Sequence, residues 1–466
     1  MRRLTGTHVY SYVKCPRLAA LDLHLPRSER RPPHPWEEFA AQRGRDFETR
    51  YVAGLPVVSP RYPERDFAAG AEATLALLRD GAEWIHQAVL AADDRLGLPD
   101  LLRRLPGPSA LGEHHYEVLD VKTSGRTRSD QILQVTFYSL LLADVQQRLP
   151  EHGAIVLKDG REERFAIADY VAAAGEVLAE LRALRDDPAG ARPFVQMGCA
   201  GCYHDQRCLG ELAAARDLSL VQGMSRGARA ILEQVGCRTI EDLAVFHPDG
   251  ARHRGNLDAT LVRRLRRAAQ AHLLGRPLVE QRPRGERLDP AVFVHLLADP
   301  FADRVLGFGL LRPGDGGGEF TCELPDPGDA DGEWHAFARL VAELPRQAVV
   351  LHFGEALPRW YEEHAMARGS EAALEARFVN LQGRLRAAAT WPLPVFGLAD
   401  FVRCALDEEP LRAGHPGAAA MWGTLPDGAA RLRGKLESDL RDLAALKAAI
   451  LDAAPTAHEE SAEAAP

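Results

Sequence analysis

The segment YEVLDVKTSGRTRSDQILQVTFYSLLL, residues 116–142, joins a short alternating strand to an amphipathic helix through a loop rich in Ser, Gly and Arg. Residues two apart in a strand face the same side, so Asp120 and Lys122 project together. The lysine is unusual, because the chain contains 57 Lys and Arg residues but only five lysines. Lysine is a compact point charge rather than a planar fork. The choice therefore indicates a site that needs an ammonium group beside a carboxylate.

A second carboxylate is predicted at the same place. Residues 96–105 and 114–124 read as two strands of an antiparallel pair. A hairpin of this kind brings Asp100 beside Asp120. Two carboxylates and a lysine suit a hard divalent cation, Mg²⁺ or Mn²⁺, with an attacking water. The plainer alternative is a surface ion pair between Asp120 and Lys122 at the end of a strand.

The helix predicted over residues 129–148 carries two further candidates. Gln134 and Tyr138 are four residues apart and lie on one helix face. From that face they can contact a substrate or brace Lys122.

These residues form an ordered set that resembles the PD-(D/E)XK nuclease core of the RecB-like type. The family pattern has an Asp after Gly-x-x, then Asp-x-Lys, then Gln-x-x-x-Tyr. Upstream, RGRDFETRY (43–51) resembles the helix on which the family carries a further metal ligand. The resemblance implies metal-dependent hydrolysis of phosphodiesters. It assigns the metal to Glu48, Asp100 and Asp120, and catalytic roles to Asp100, Asp120, Lys122, Gln134 and Tyr138.

Four cysteines flank this core. GCAGCYHDQRC (198–208) places Cys199, Cys202 and Cys208 at C-x2-C-x5-C spacing, and Cys15 stands alone near the N-terminus. Spacing alone leaves zinc and an iron–sulfur cluster open. The arrangement resembles the iron–sulfur RecB-like nucleases, including CRISPR-associated exonucleases. That resemblance implies a [4Fe–4S] cluster that joins the two ends of the domain.

The segment LSLVQGMSRGARAILEQVGCRTIEDLA, residues 218–244, resembles a helix–hairpin–helix with Gly223 at the hairpin. Such a unit binds the nucleic-acid backbone through helix-terminal amides without reading its sequence. A helical packing module without nucleic-acid contact is the alternative. An Arg-rich helix near residues 262–272 follows directly and favours contact.

The third region resembles an RNase H-like exonuclease domain that has lost acids. Strands are predicted near residues 292–297, 304–311 and 347–353. Two-metal chemistry needs several carboxylates, and the region departs from the family at three acidic positions while keeping other acids. The departures are His295, Leu297 and Asn380, and the acids kept are Asp299 and either Asp439 or Asp442. We therefore expect an inactive domain.

The fold class expected is α/β: a PD-(D/E)XK restriction-endonuclease-like core with a helical iron–sulfur subdomain, a small all-α helix–hairpin–helix, and a C-terminal RNase H-like α/β domain. Single helices are predicted over 1–25 and 66–92. The domains expected are 1–215 for the nuclease, 216–275 for the helical region, 276–290 for a linker, 291–450 for the RNase H-like domain, and 451–466 for a disordered tail.

Composition limits where the protein works and what it binds. Seven cysteines, an odd number, argue against a disulfide framework and for a reducing, cytoplasmic location. The N-terminus shows no signal peptide, and no run approaches the roughly 20 apolar residues that span a bilayer. The net charge of −9 confines any nucleic-acid surface to local patches.

The function expected is a metal-dependent DNA nuclease, an exonuclease on single-stranded or frayed ends, acting in repair, recombination or defence. RNA is a further candidate substrate. The chain has no Walker motif, so unwinding requires a helicase or another repair or defence partner. The alternative is an iron–sulfur scaffold that binds nucleic acid without cleaving it.

Overall fold

A computed structural model describes residues 2–247, 257–279, 288–300, 302, 304–314, 317–342, 344–345, 347–368, 374, 377–395, 397–406 and 416–452. The chain divides into two compact units. The first contains residues 1–193 and 200–206, and the second contains residues 194–199 and 207–466. Both units are mixed α/β structures, which confirms the expected class. The finer subdomains stay predictions.

The first unit is built on a six-stranded sheet with the order β2-β3-β6-β7-β8-β9, beside a three-stranded sheet with the order β1-β5-β4. The strands are β1 (Leu4–Thr5), β2 (Val57–Val58), β3 (Trp84–His86), β4 (Leu90–Ala92), β5 (Arg95–Gly97), β6 (Leu101–Ser109), β7 (Gly112–Val121), β8 (His152–Val156) and β9 (Glu162–Ala166). The helices are α1 (Gly6–Lys14), α2 (Pro16–His24), α3 (Pro35–Ala53), α4 (Phe67–Asp80), α5 (Ser129–Gln146) and α6 (Val171–Asp186).

Alternation along β7 distributes its side chains between two apolar layers. Val118 joins the larger core, in which α1, α5 and α6 pack. Leu119 and Val121 join a smaller core that α3 covers with Phe47 and Val52. The sheet is therefore buried on both faces, and its strands read as nearly continuous apolar runs. The predicted antiparallel pair is confirmed as β6 and β7, and the predicted helix over 129–148 is confirmed as α5.

Two predicted helices are wrong in extent. The helix expected over 1–25 is broken at Cys15, whose backbone is extended (φ −164°, ψ 117°) before Pro16. Proline disfavours the helical conformation of the residue before it, which explains the break. The helix expected over 66–92 ends at Gly81, whose left-handed backbone (φ 74°) terminates α4 before β3 and β4 begin.

The second unit contains a five-stranded sheet, within its described residues, with the order β13-β12-β11-β14-β15. Neighbours from β11 to β13 are antiparallel, whereas β14 lies parallel to β11 and β15 parallel to β14. The strands predicted near 292–297, 304–311 and 347–353 are confirmed as β11, β12 and β14. The strands are β10 (Leu278–Val279), β11 (Ala291–Asp299), β12 (Arg304–Arg312), β13 (Glu319–Glu323), β14 (Val349–His352), β15 (Phe378–Asn380) and β16 (Ala389–Thr390).

Helices surround this sheet and form a separate helical core earlier in the chain. They are α7 (Asp205–Ala214), which starts in the first unit, α8 (Arg226–Gln234), α9 (Ile240–Ala244), α10 (Ala259–Leu274), α11 (Gly332–Val341), α12 (Ala356–Ala367), α13 (Leu381–Ala388), α14 (Leu398–Leu406), α15 (Pro416–Trp422) and α16 (Gly428–Leu446). The helical core is formed around α8, α9 and α10. Among the described residues, no helix combines the length and the apolarity that crossing a bilayer requires.

The predicted helix–hairpin–helix is only partly formed. Gly223 has the left-handed backbone of a hairpin (φ 83°), and Ser225 caps α8 by accepting the amide of Ala228 at 3.1 Å. The helix expected before the hairpin is a single 3-10 turn, Leu218–Leu220. Parts of two other predictions lie outside the described residues, namely 280–287 of the linker and 453–466 of the tail.

Candidate active site

The pairing of β6 with β7 places two carboxylates opposite each other. Leu101 pairs with Leu119 in antiparallel register, so the next position outward sets Asp100 against Asp120. Asp100 Oδ2 accepts the backbone N–H of Val121 at 2.8 Å. Asp120 is almost fully buried, with 1% of its surface exposed. The hairpin therefore brings together the two acids that the sequence predicts.

Lys122 completes this group of charges. Its Nζ lies 2.5 Å from Asp120 Oδ2 and 3.9 Å from Asp100 Oδ2, and a quarter of the side chain is exposed. Its backbone N–H donates to Val156 O at 2.8 Å, which holds the end of β7 on β8. The side chain thus reaches from the buried Asp120 and the half-buried Asp100 to solvent. The chemical roles of the three residues stay predictions.

Charge in the group is unbalanced. The pKa of Asp100 is raised well above its usual value, first by burial and next by the negative charge of Asp120. Burial acts to lower the pKa of Lys122, but the charges of Asp120 and Asp100 outweigh it and the pKa rises. Asp120 Oδ2 is buried and, although close to Lys122, forms no hydrogen bond of good geometry among the described residues. One ammonium does not neutralise two carboxylates, so the residues fit a divalent cation.

Glu48 stands at the edge of the same group. It is on α3, whose Phe47 and Val52 pack against the sheet. Its Oε1 accepts from His86 Nε2 at 3.0 Å and from Gln87 Nε2 at 2.7 Å. The negative charge of Glu48 contributes to the raised pKa of Asp100.

As placed, no three His, Cys, Asp or Glu side chains in the described parts of the chain are close enough to hold a metal ion. Mg²⁺ needs only one or two carboxylates and keeps several waters. Asp100 and Asp120 therefore fit as direct ligands, and Glu48 adds negative charge beside them.

Gln134 and Tyr138 lie under the acids as a hydrogen-bonded pair. Gln134 Nε2 donates to Tyr138 Oη at 3.0 Å. Burial, and then the charge of Asp120, raise the pKa of the Tyr138 phenol, so it stays neutral. A Cβ added at Gly97 would meet Tyr138 Cδ1 at 2.9 Å, and one added at Gly6 would meet Tyr138 Cε1 at 2.6 Å. Gly97, the glycine three residues before Asp100, is therefore required because a larger residue would clash with the Tyr138 ring.

Cations surround the loop after β7. Arg126 is exposed and forms no ion pair with any described residue. Arg128 Nη2 donates to Tyr10 Oη at 3.4 Å, and the Nζ of Lys14 lies 4.2 Å from the centre of the Tyr10 ring. A Cβ at position 125 would lie 3.1 Å from Cε of Lys158. Three of the five lysines of the chain are thus beside this loop or in it.

Sequence reasoning missed four residues of this region: Gly6, Tyr10, His86 and Gln87. The first two are on α1, which the chain brings to α5 only through the fold. His86 ends β3 and Gln87 follows it, in a stretch for which the sequence predicts helix. Nothing in the local sequence marks His86 and Gln87 as part of a site. Their hydrogen bonds to Glu48, seen only in the structure, place them there.

Two of the four candidate cluster cysteines belong to the first unit. Cys15 ends α1. Cys202 Sγ accepts the backbone N–H of His204 at 3.4 Å. The neighbouring Tyr203 donates to Asp22 of α2 at 2.7 Å. The segment that carries Cys202 is therefore fastened to the helix that follows Cys15.

The other two cysteines belong to the second unit. Cys199 Sγ accepts the backbone N–H of Gln196 at 3.4 Å, and Cys208 is in the first turns of α7. All four cysteines are half-buried, and none forms a disulfide in the described chain. Hydrogen bonds from amides to sulfur are a device that tunes thiolate-bound iron–sulfur clusters. The cluster expected from the sequence therefore stays a prediction.

The third region presents a different set of charges. His295 Nε2 lies 3.4 Å from Asp439 Oδ2, and Lys435 donates to the other oxygen of Asp439. Burial acts to raise the pKa of Asp439, but the hydrogen bond and charge of His295 and the charge of Lys435 lower it. Asn380 caps α13 through the amide of Gln382 at 3.0 Å. His295 and Asn380, two of the positions where the sequence departs from the RNase H-like pattern, thus have structural partners.

Comparison with protein-family models gives no match for this chain, and comparison with curated proteins also gives none.

Proposed function

We propose that the chain is a metal-dependent nuclease of the RecB-like PD-(D/E)XK type that hydrolyses phosphodiester bonds in DNA. The observation that carries the proposal is the set of Asp100, Asp120 and Lys122. Two carboxylates face each other across a hairpin, and a lysine lies 2.5 Å from one of them at the margin of solvent. A structural ion pair would need only one acid. The second acid, whose pKa is raised by burial and by the first, is costly unless a cation binds there.

The residues of the chain would divide the chemistry between them. Asp100 and Asp120 would hold Mg²⁺ or Mn²⁺, with Glu48 adding charge at the edge. A bound divalent ion polarises the phosphodiester and lowers the pKa of a coordinated water. Lys122, whose pKa is raised, stays protonated at neutral pH and stabilises charge that develops on the phosphate.

The cations of the loop supply the substrate contacts. Phosphates of a nucleic-acid strand bind Lys and Arg with release of counterions. Arg126 lies in the loop that follows Lys122, Lys158 lies beside Gly125, and Arg128 is paired with Asp130, so this positive charge is local in a chain that carries −9 overall. A single strand or a frayed end is the proposed substrate, with RNA as a second candidate.

The four cysteines support a [4Fe–4S] cluster as a structural cofactor. Cys15 comes from the start of the nuclease region, and Cys199, Cys202 and Cys208 come from its end. A cluster bound by all four closes a loop of nearly the whole domain and restricts the unfolded chain.

The test is degradation of end-labelled single- and double-stranded DNA in Mn²⁺ by the wild type, Lys122→Ala and Asp120→Asn. Both variants are expected to lose cleavage. Lys435→Ala is the matched control, because Lys435 also pairs with a buried acid but belongs to the second unit. It is expected to retain activity. Cleavage that survives in all three variants would refute the assignment. A wild type that binds DNA but cleaves neither DNA nor RNA would favour the scaffold alternative.

A further inference from the structure

The residue after β3 has a backbone conformation that its side chain does not favour. Gln87 has φ 54°, in the left-handed region. Residues with a Cβ avoid this region, and glycine, asparagine or aspartate usually fill it. Such outliers persist where the surroundings impose them, and they gather at functional sites.

Gln87 connects two of the acidic residues of the candidate site. Its backbone N–H donates to Asp100 O at 2.9 Å, and its side-chain amide donates to Glu48 Oε1 at 2.7 Å. The left-handed backbone lets one residue make both bonds. Gln87 therefore links the helix that carries Glu48 to the strand that starts after Asp100.

His86, the residue before Gln87, is a second hydrogen-bond partner of Glu48 Oε1. His86 pairs with Leu101 in the β3–β6 register, and its Nε2 lies 3.0 Å from Glu48 Oε1. Both contacts use Oε1. Among the described residues no hydrogen bond is made to Oε2, so that oxygen remains for another ligand.

Packing does not explain the glutamine. Gln87 is exposed, so its side chain contributes little apolar burial. A glycine would make the same turn and keep the backbone bond to Asp100 without the unfavourable conformation. The contact that only the glutamine side chain provides is the one to Glu48.

We propose that Gln87 and His86 are positioning residues that hold Glu48 by Oε1 and so keep its negative charge beside a divalent cation bound by Asp100 and Asp120. The inference rests on the proposed metal-dependent function. Residues that orient a ligand from behind commonly change metal affinity by about 10- to 100-fold when they are removed.

The test measures Mn²⁺ binding to the full chain by isothermal titration without DNA, together with the melting temperature in EDTA. The variants are Gln87→Gly, Glu48→Gln and Asp120→Asn. Gln87→Gly is expected to weaken Mn²⁺ binding by about tenfold. Its melting temperature in EDTA should equal or exceed that of the wild type, because glycine relieves the backbone.

Arg65 offers a matched control. It also has a left-handed backbone, φ 65°, and its exposed side chain forms, among the described residues, an ion pair only with the adjacent Glu64. Arg65→Gly removes the same kind of strain at a residue that, within the part of the chain that the structure describes, pairs with Glu64 and with no proposed ligand. It should leave Mn²⁺ affinity unchanged while the melting temperature stays level or rises.

Three results would overturn the inference, and they differ in what they leave standing. If Gln87→Gly binds Mn²⁺ as the wild type does while Glu48→Gln weakens binding, Gln87 does not position Glu48, but the metal site stands. If Gln87→Gly loses affinity and also melts several degrees lower in EDTA, its role is structural. If neither Glu48→Gln nor Asp120→Asn changes Mn²⁺ binding, the proposed metal site fails and the inference fails with it.

Discussion

Replacing Asp100 with asparagine should stabilise the metal-free protein at neutral pH while it abolishes cleavage. The amide keeps an oxygen that can accept the N–H of Val121, which now donates to Asp100 Oδ2 at 2.8 Å. What changes is the charge. Repulsion from Asp120 is lost, and so is attraction to Lys122 at 3.9 Å.

The magnitudes show which effect decides the sign. Two unit charges about 4 Å apart interact by about 4 kcal/mol at an effective dielectric constant near 20. The lost repulsion and the lost attraction are therefore of similar size and largely cancel. Burial is the largest cause of the raised pKa of Asp100, so the avoided cost of burying its charge remains. Each pKa unit of that rise corresponds to about 1.4 kcal/mol.

The expected gain is thus positive, and every ~1.4 kcal/mol of it raises the melting temperature by roughly 3–6 °C for a unit of this size. It depends on pH in a defined direction. Between the unfolded pKa of about 3.9 and the raised folded pKa, the folded wild type binds more protons and loses stability as pH rises. The advantage of Asp100→Asn should be absent near pH 3 and grow towards neutral pH.

The assay is scanning calorimetry in EDTA and in Mn²⁺ across this pH range. Mn²⁺ should stabilise the wild type by mass action but not the variant, so the order of melting temperatures should reverse. Asp94→Asn is the control, because hydrogen bonds from Arg182 and Arg185 lower the pKa of Asp94 despite burial. That variant should lose stability at neutral pH, with the loss fading in acid. If Asp100→Asn also melts lower at neutral pH in EDTA, the account of this carboxylate pair is wrong.

Three further outcomes follow from the same structure. Cys202→Ala should remove the bound iron and the visible absorption of protein purified without oxygen, and a colourless wild type with one equivalent of zinc would refute the cluster. Arg126→Ala should reduce the slope of log binding constant against log salt concentration, for single-stranded DNA in EDTA, by about 0.7, the value for one phosphate contact. Arg79→Ala, which changes an exposed arginine on α4, should leave the slope unchanged. Equal slopes for wild type and Arg126→Ala would remove Arg126 from the substrate surface. Gly97→Ala should cost about 1–3 kcal/mol in the free energy of unfolding, because its methyl group would lie 2.8 Å from Leu141 Cδ1 and 2.9 Å from Tyr138 Cδ1. An unchanged urea midpoint would show that these two side chains move aside freely.

The sequence predicted the carboxylate–lysine group because local rules decide it. Alternation at the end of β7 puts Asp120 and Lys122 on one side, and β6 pairs with β7 in a constant register from Leu101 to Pro106. Asp100 is then brought to Asp120 by backbone hydrogen bonds alone. Such a site depends on few long-range contacts, so pattern reasoning reaches it.

The sequence did not predict what surrounds that group, since those contacts depend on packing between distant segments. Tyr10 reaches the site only because α1 packs on α5. Gln87 reaches Glu48 only because α3 lies on the sheet, and no periodicity encodes a left-handed glutamine. The mistaken helix over 66–92 has a similar cause, because the Ala-rich composition of α4 hid the Gly81 stop that precedes β3.

The contrast between Asp100 and Asp439 explains why we propose catalysis for one unit and not for the other. The pKa of Asp100 is raised by burial and by a second acid, so its ionised form lacks sufficient positive charge nearby. The pKa of Asp439 is lowered despite its burial, because His295 and Lys435 already supply positive charge and a hydrogen bond. A divalent cation would relieve the first arrangement, but in the second it would compete with cations that the chain provides. Within the described residues, the hairpin of β6 and β7 has this shortage of positive charge, and we therefore propose that metal binding stabilises the fold there.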